Sequence, residues 1–287
     1  MNNLVNRRGW LQSSGVSMAS LAGLSLWPLR MLHGTPVEPS WKLGIQSYTF
    51  REFKLEKALE YTQALGLQFA EFFQDHIPLK ATDEQIAAMR KICIDHSIQP
   101  IAYGVQSFTK NHDQNKRVFD FAKKLGVQYL TADPTPDSFD SLEKLVEEYG
   151  ISIAIHPHGP VGGNRLHRWY SAEVIMQAIK DRHPKIGTCL DTGHLIRCAQ
   201  LGKPLDPAEQ VLAMGARNFG LHLKDHDNAK KRDVILGQGA LKLNELFKAL
   251  KAVQFAGFIS IEYEANPKDP RADVAQCIEA WKKTVVS

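Results

Sequence analysis

Cysteine is scarce and dispersed. Cys93, Cys189, Cys198 and Cys277 form no C-x-x-C pair, which excludes a zinc ribbon and a dithiol redox motif. They read as small buried apolar residues, although an oxidising compartment would permit a disulfide. The first apolar run, Gly44-Ile-Gln-Ser-Tyr-Thr-Phe50, lacks the G-x-G-x-x-G that cradles a dinucleotide phosphate. The chain also has no low-complexity tract and no long block of like charge. Its 35 basic and 31 acidic residues leave a formal charge of only +4. With 44% hydrophobic and 23% charged residues it has the composition of an ordinary globular protein, and the bulk numbers imply no particular partner.

The N-terminus differs from the rest. Asn6-Arg-Arg-Gly-Trp-Leu-Gln12 precedes an uncharged, small-residue-rich apolar stretch from Ser13 to Pro28, closed by Pro28 and Arg30. That stretch falls short of the roughly 18 to 20 residues a spanning helix needs. An amphipathic helix is the alternative, but Ser13 to Leu26 offers no charged face. The pair Arg7-Arg8, with Trp10 and Leu11, resembles the twin-arginine export signal, departing from its commonest form at Asn6, Trp10 and Gln12. This resemblance implies a signal over residues 1–35, cleavage near His33 to Glu38, and the twin-arginine export machinery as a partner. It further implies a folded protein delivered to the periplasm or another extracytoplasmic space, with no membrane contact in the mature form. Removing residues 1–35 takes three arginines and no acid, leaving 32 basic against 31 acidic residues. A near-neutral mature chain offers no phosphate-tracking surface, so no nucleic-acid partner is expected.

From Trp41 onward, short apolar runs alternate with helical patterns. Candidate strands begin near Leu43, Gln68, Gln99, Val127, Ile151, Ile186, Phe219 and Phe258. Between them lie segments with i, i+3, i+4 apolar spacing, such as Val118-Phe121-Ala122-Leu125 and Leu142-Leu145-Val146-Tyr149. Gly66, Gly126 and Gly150 each close a helical run before a strand. Residues 36–287 number 252, so eight units take about 31 residues each, the size of a βαβ repeat. The fold class is therefore α/β, a single (β/α)8 TIM barrel over residues 36–287; a doubly wound open sheet is the alternative.

Chemistry gathers where the strands stop. Gly187, Cys189 and Asp191 share one face of the sixth strand, and His194 follows three residues after Asp191. Asp-Thr-Gly-His alone serves equally well as a helix cap. Its companions are His156 and His158 ending the run Ile151–His158, His222 in Phe219–Lys224, and Glu262 and Glu264 in Phe258–Glu264. Small or polar residues occupy the parity of these groups, so that parity should face the barrel interior. Asp191, His222 and Glu262 then stand at three consecutive strand ends, about 5 Å apart, and can converge on one ion. Glu262, flanked by Ile261 and Tyr263, needs either a metal or a buried pair with Lys224. His156 is the fourth ligand by parity and depth, with His158 one pleat higher as its substitute. Two imidazoles and two carboxylates suit one divalent ion from the group Mn, Zn, Co, Ni and Fe.

Glu262, His156 and Lys224 are the catalytic candidates. His194, His158, His76, Tyr48 and Glu264 are the substrate-binding ones. Glu71 can bind a hydroxyl or move a proton, and Arg165, His167, Trp169 and Tyr170 can form a lid that stacks on a ring.

The tokens Leu190-Asp-Thr-Gly-His194, Leu221-His-Leu-Lys-Asp225, Gly237-Gln-Gly239 and Ser260-Ile-Glu-Tyr-Glu264 resemble those of the xylose isomerase-like barrel superfamily. The resemblance is to its sugar phosphate isomerase/epimerase branch, which includes ketose 3-epimerases, inosose dehydratase and hydroxypyruvate isomerase, with endonuclease IV more distant. It implies a metal held by Glu, Asp, His and Glu, the last three falling on Asp191, His222 and Glu262, and a substrate-binding role for His194. At the first position Ile155-His-Pro-His158 departs from the pattern, placing a histidine where the glutamate is expected.

The expected function is a divalent-metal-dependent isomerase or epimerase acting on a small sugar or keto-sugar through an enediolate. A lyase or dehydratase that expels a β-substituent from the same intermediate is the alternative. A non-catalytic sugar-binding barrel and a nuclease are further readings; the nuclease would need more metal ligands and a basic surface. A homo-oligomer is compatible with the sequence.

Overall fold

The computed structural model describes residues 41–162 and 164–285. The export-signal reading of residues 1–35 lies outside them. Eight parallel strands close in the order β1-β10-β7-β6-β5-β4-β3-β2. They are β1 (Lys42–Gln46), β2 (Phe69–Phe72), β3 (Gln99–Phe108), β4 (Tyr129–Pro134), β5 (Ser152–Ile155), β6 (Ile186–Asp191), β7 (Asn218–Leu223) and β10 (Phe258–Ile261). The remaining two, β8 (Asp225–Asp227) and β9 (Arg232–Val234), pair antiparallel in a ribbon above the barrel strand β7. The fold is a single (β/α)8 barrel, as the sequence predicts.

Helices α1 (Leu55–Ala64), α2 (Asp83–Asp95), α3 (His112–Leu125), α4 (Phe139–Tyr149), α5 (Ala172–Ile179), α6 (Thr192–Arg197), α7 (Pro207–Met214), α8 (Leu243–Ala252) and α9 (Arg271–Val285) connect or follow the strands. Each of α3 and α4 buries one apolar stripe, Val118, Phe121, Ala122 and Leu125 in the first and Leu142, Leu145 and Val146 in the second. Burying side chains of this size stabilises the fold by roughly 1.5–3 kcal/mol each. Both helices end on a left-handed glycine, Gly126 at φ 85° and Gly150 at φ 71°, a conformation costly for any residue with a Cβ. Helix α2 starts with a capping box: Thr82 Oγ1 accepts the Gln85 N–H at 3.3 Å while Gln85 Oε1 accepts the Thr82 N–H at 2.9 Å.

The barrel interior is layered. A small cluster separate from the main core, formed by Ile101, Ala102, Ala154, Cys189 and Phe258 with Phe69, Tyr129 and Phe219 against it, fills one level. The expectation that only small or polar residues face inward is thus corrected, since aromatic rings supply volume there. Polar groups occupy the next level. The four cysteines are buried and free. No described helix is long and apolar enough to cross a membrane.

The strands are shorter than the apolar runs suggest. β5, β7 and β10 stop at Ile155, Leu223 and Ile261, so His158, Lys224 and Glu264 belong to the loops beyond. His156 and Glu262 still continue the ladder, their N–H groups donating to Ala132 O at 2.8 Å and Leu223 O at 3.2 Å. That tie holds their side chains on the barrel rim as firmly as strand residues.

Candidate metal centre and active-site cavity

Barrel register brings Asp191 directly opposite His222, and His222 opposite Ser260, so Glu262 sits one inward position further on, just past the end of β10. His156, Asp191, His222 and Glu262 each offer one ligand atom, and these atoms all lie within 4.8 Å of one another. Asp191 caps a helix and is also placed for the ligand role its motif suggested. Its Oδ1 accepts the His194 N–H at 2.7 Å and caps α6. Its Oδ2 faces the cluster, 3.4 Å from His156 Nε2 and 3.8 Å from His222 Nδ1. Glu262 Oε2 approaches His222 Nδ1 at 3.2 Å.

His156 Nε2 and His222 Nδ1 lie in hydrogen-bond contact at 3.0 Å, but two buried oxygens of this cluster, Asp191 Oδ2 and Glu262 Oε2, have no hydrogen bond of acceptable geometry. Both oxygens do have a charge partner, because Lys224 Nζ lies 3.2 Å from Asp191 Oδ2 and 2.9 Å from Glu262 Oε2. Proximity without directed bonds leaves lone pairs free in a buried place, which is the condition for taking a cation. The residues present therefore fit a divalent ion with mixed nitrogen and oxygen ligands.

Below the cluster, His222 Nε2–H donates to Glu71 Oε2 at 2.7 Å. Glu71 is fixed in turn by the Thr131 hydroxyl at 2.5 Å and the Ser260 hydroxyl at 3.3 Å. This bond settles which nitrogen of His222 looks up at the cluster. A carboxylate behind a ligand histidine orients the ring and raises its basicity.

Lys224 is buried, and its stem crosses Gly193, where a Cβ would come within 2.7 Å of Lys224 Cδ. Its ammonium bonds Glu264 Oε1 in addition to facing the other two carboxylates. Burial works against charge on Lys224, but Asp191, Glu262 and Glu264 outweigh it and hold the amine well above its ordinary value. Reciprocally, burial would raise Asp191 and Glu262, yet Lys224 outweighs it, with nearby His156 helping at Asp191 and His222 at Glu262. Asp191 is held well below the usual range and Glu262 at about 2. Burial opposes protonation of His222 too, against Cys189, Glu71 and Glu262. Cys189 is itself pushed up to about 12 by burial and stays a thiol, so the two carboxylates carry the rise of His222.

Above the cluster opens a cavity of about 570 Å³. His156, His158, His194, Glu262, Glu264 and Tyr48 reach its wall; Asp191, His222 and Lys224 lie beneath it. Burial and the neighbouring imidazoles lower His158 to about 3, and burial holds His194 well below its ordinary value, so both rings are neutral near pH 7. Their rings stand 4.8 Å apart.

Two expectations are corrected. His76 is not brought to the cavity: its Nε2 pairs with Phe53 O at 2.9 Å, its ring packs on Phe73, and burial lowers its pKa. Trp169 is not a lid residue, since it is buried against Phe139 and donates its indole N–H to Pro134 O at 2.8 Å. The aromatic wall is made instead by Tyr48 and Phe73, edge to face at 5.3 Å. Phe73, Gln74, Gln106 and Ser107 also line the cavity and were not singled out from sequence. Phe73 and Gln74 follow Glu71 closely, the only signal available for them. β3 gave none, because its pairing with β4 shifts register between Tyr103 and Gln106 and breaks the inward parity.

Leu221-His-Leu-Lys-Asp225 and Gly237-Gln-Gly239 prove to be one structural unit. The Asp225 carboxylate accepts N–H groups of His226, Gly237, Gly239 and Leu241 at 2.8–2.9 Å, pinning the loop beside the strand that carries His222 and Lys224.

A closed parallel barrel with imidazoles and carboxylates converging at its C-terminal mouth defines a class of protein built for small-molecule chemistry at that end. Residues 59–284 match the xylose isomerase-like TIM barrel family, and the chain belongs to it. Inosose isomerase of Bacillus licheniformis is 24% identical over 276 residues, covering 84% of this chain and 95% of that protein. A solved Parabacteroides distasonis protein is 31% identical with a TM-score of 0.65, covering 85% of this chain and 98% of the other. A solved L-ribulose 3-epimerase is 17% identical with a TM-score of 0.66, covering 85% and 94%; at that identity the likeness speaks for the fold.

Proposed function

We propose that the protein is a divalent-metal-dependent isomerase or epimerase of a small, unphosphorylated sugar or keto-sugar. The observation that carries this reading is the convergence of His156, Asp191, His222 and Glu262 on one point beneath a polar cavity. A bound cation would supply Lewis acidity, polarising a substrate carbonyl and its neighbouring hydroxyl. The names of relatives, inosose isomerase and L-ribulose 3-epimerase, support sugar chemistry of this kind.

The chain's own residues have distinct tasks. Lys224 keeps Glu262 ionised, so Glu262 can take the proton from the carbon between two oxygens and leave an enediolate. Neutral His158 and His194 offer donors and acceptors to hydroxyls without adding charge. Tyr48 and Phe73 present an aromatic wall to the apolar face of a sugar ring. Among the described residues no lysine or arginine lines this cavity, which supports a substrate without a phosphate there.

The carboxylates lining the cavity, Glu262 and Glu264, both come from the end of β10. With histidine at position 156, no carboxylate faces them from β5, an arrangement that favours proton transfer on one face and hence isomerisation over epimerisation. The same one-sided base also suits expulsion of a β-substituent, so a lyase is the second reading. The Arg7-Arg8 motif supports periplasmic delivery by the twin-arginine route, where sugar phosphates are scarce.

The metal-loaded protein incubated with keto-sugars in D2O distinguishes these chemistries. Deuterium in recovered or isomerised sugar is expected. An unsaturated product would transfer the assignment to the lyase, and a protein that binds sugar without exchange would be a binding barrel.

A further inference from the structure

A second cavity of about 430 Å³ lies between the loop after β2 and the first turns of α3. It shares a wall with the first: Gln106 and Ser107, at the end of β3, line both it and the active-site cavity, so the two adjoin at this strand end. Each is by itself in the size range of small-molecule sites. A monosaccharide in the inner cavity leaves the outer one to water.

The outer cavity is equipped for a polar ring. Gln106 is nine-tenths buried yet spends its amide only on a 3.5 Å contact to Val105 O, leaving its carbonyl oxygen and a second N–H available at the junction. Lys80 and Arg117 reach the wall and have no ion-pair or hydrogen-bond partner among the described residues. The floor is rigid: Asn115 is buried and donates to Thr109 O at 2.7 Å and the Ser141 hydroxyl at 2.9 Å. A fixed floor with free donors around it can bind hydroxyls without first reordering side chains.

Building on the sugar chemistry proposed above, we infer that the substrate carries two sugar units. The reacting unit sits over the metal centre and the second occupies the outer cavity, with Gln106 contacting the glycosidic junction. The second unit is recognised by Lys80 and Arg117. The outer site then selects glycosides over free sugars of the same reacting end.

Calorimetric titration of the purified full-length protein tests this with matched pairs, D-fructose against lactulose and D-glucose against maltose and cellobiose. The tightest-binding pair should favour the disaccharide at least tenfold. Gln114 is exposed on α3 and lines only the outer cavity, so Gln114→Trp should abolish that advantage while leaving monosaccharide affinity unchanged. Equal affinities within every pair, or an advantage that survives Gln114→Trp, would overturn the two-unit substrate and leave the monosaccharide reading intact. Failure of every sugar to bind would overturn both.

Discussion

His222 Nε2 lies 2.7 Å from Glu71 Oε2, joining residues 151 positions apart in the chain. Through this contact β2 orients the candidate ligand on β7. Glu71→Gln keeps the shape and removes the charge, so the orienting bond weakens and His222 becomes less basic. Metal affinity should fall roughly tenfold to a hundredfold while the protein remains folded. Equilibrium dialysis measures this directly, and unchanged affinity would reduce Glu71 to a filler of the barrel interior.

His156 decides the ligand set. His156→Ala should lose bound metal at neutral pH, whereas His156→Glu should retain it through an all-oxygen side chain at the same position. His158→Ala should keep its metal, since His158 lies outside the cluster and reaches the cavity wall. Metal retained by His156→Ala and lost from His158→Ala would move the ligand one pleat higher.

Lys224 balances two buried carboxylates when no cation does. Lys224→Met should therefore destabilise the metal-free protein by several degrees in melting temperature. Added divalent metal should restore most of that loss, producing a larger metal-induced shift than in the wild type. If metal shifts both proteins equally, Lys224 and the cation do not share these carboxylates.

The same buried groups give the metal-free protein a stability maximum. Glu262 falls from an ordinary 4.5 to about 2, so its contribution is complete above 4.5 and lost as pH drops toward 2. His222 is raised above an ordinary 6.5, so its contribution is complete below 6.5 and lost as pH climbs through the elevated value. Urea midpoints in chelator should peak near 6.5, because His158, His194 and His76, all held below their ordinary value, lose their contribution as pH falls below it while His222 loses its own above it. Glu262→Gln should flatten the part of the acid limb below about 4.5; a limb as steep there as in the wild type would assign it to other groups.

Glu38–Ser287 forms one compact unit, so a chain beginning at Glu38 should melt cooperatively at the full-length temperature. A broadened or lowered transition would show that the preceding residues contribute to the fold.

The strand and helix pattern was legible in the sequence because it is a local property. Apolar runs, i, i+3, i+4 stripes and terminal glycines each act within a few residues, and eight repeats of them leave a closed barrel as the natural outcome. Asp191, His222 and Glu262 were visible for the same reason: each is a polar group on the inward parity of an apolar strand end.

Tertiary structure decided what depends on distance between strands. Only the closed barrel puts Glu71 under His222, lays Lys224 across Gly193 and makes Asp191 a cap and a candidate ligand at once. Only the shifted pairing of β3 with β4 turns Gln106 and Ser107 toward two cavities, and only the packing of the loop after β2 withdraws His76 from the mouth. Periodicity states which face a side chain leaves from; register shifts, loop packing and the neighbour across the barrel determine what it meets, and none of these is encoded within one segment.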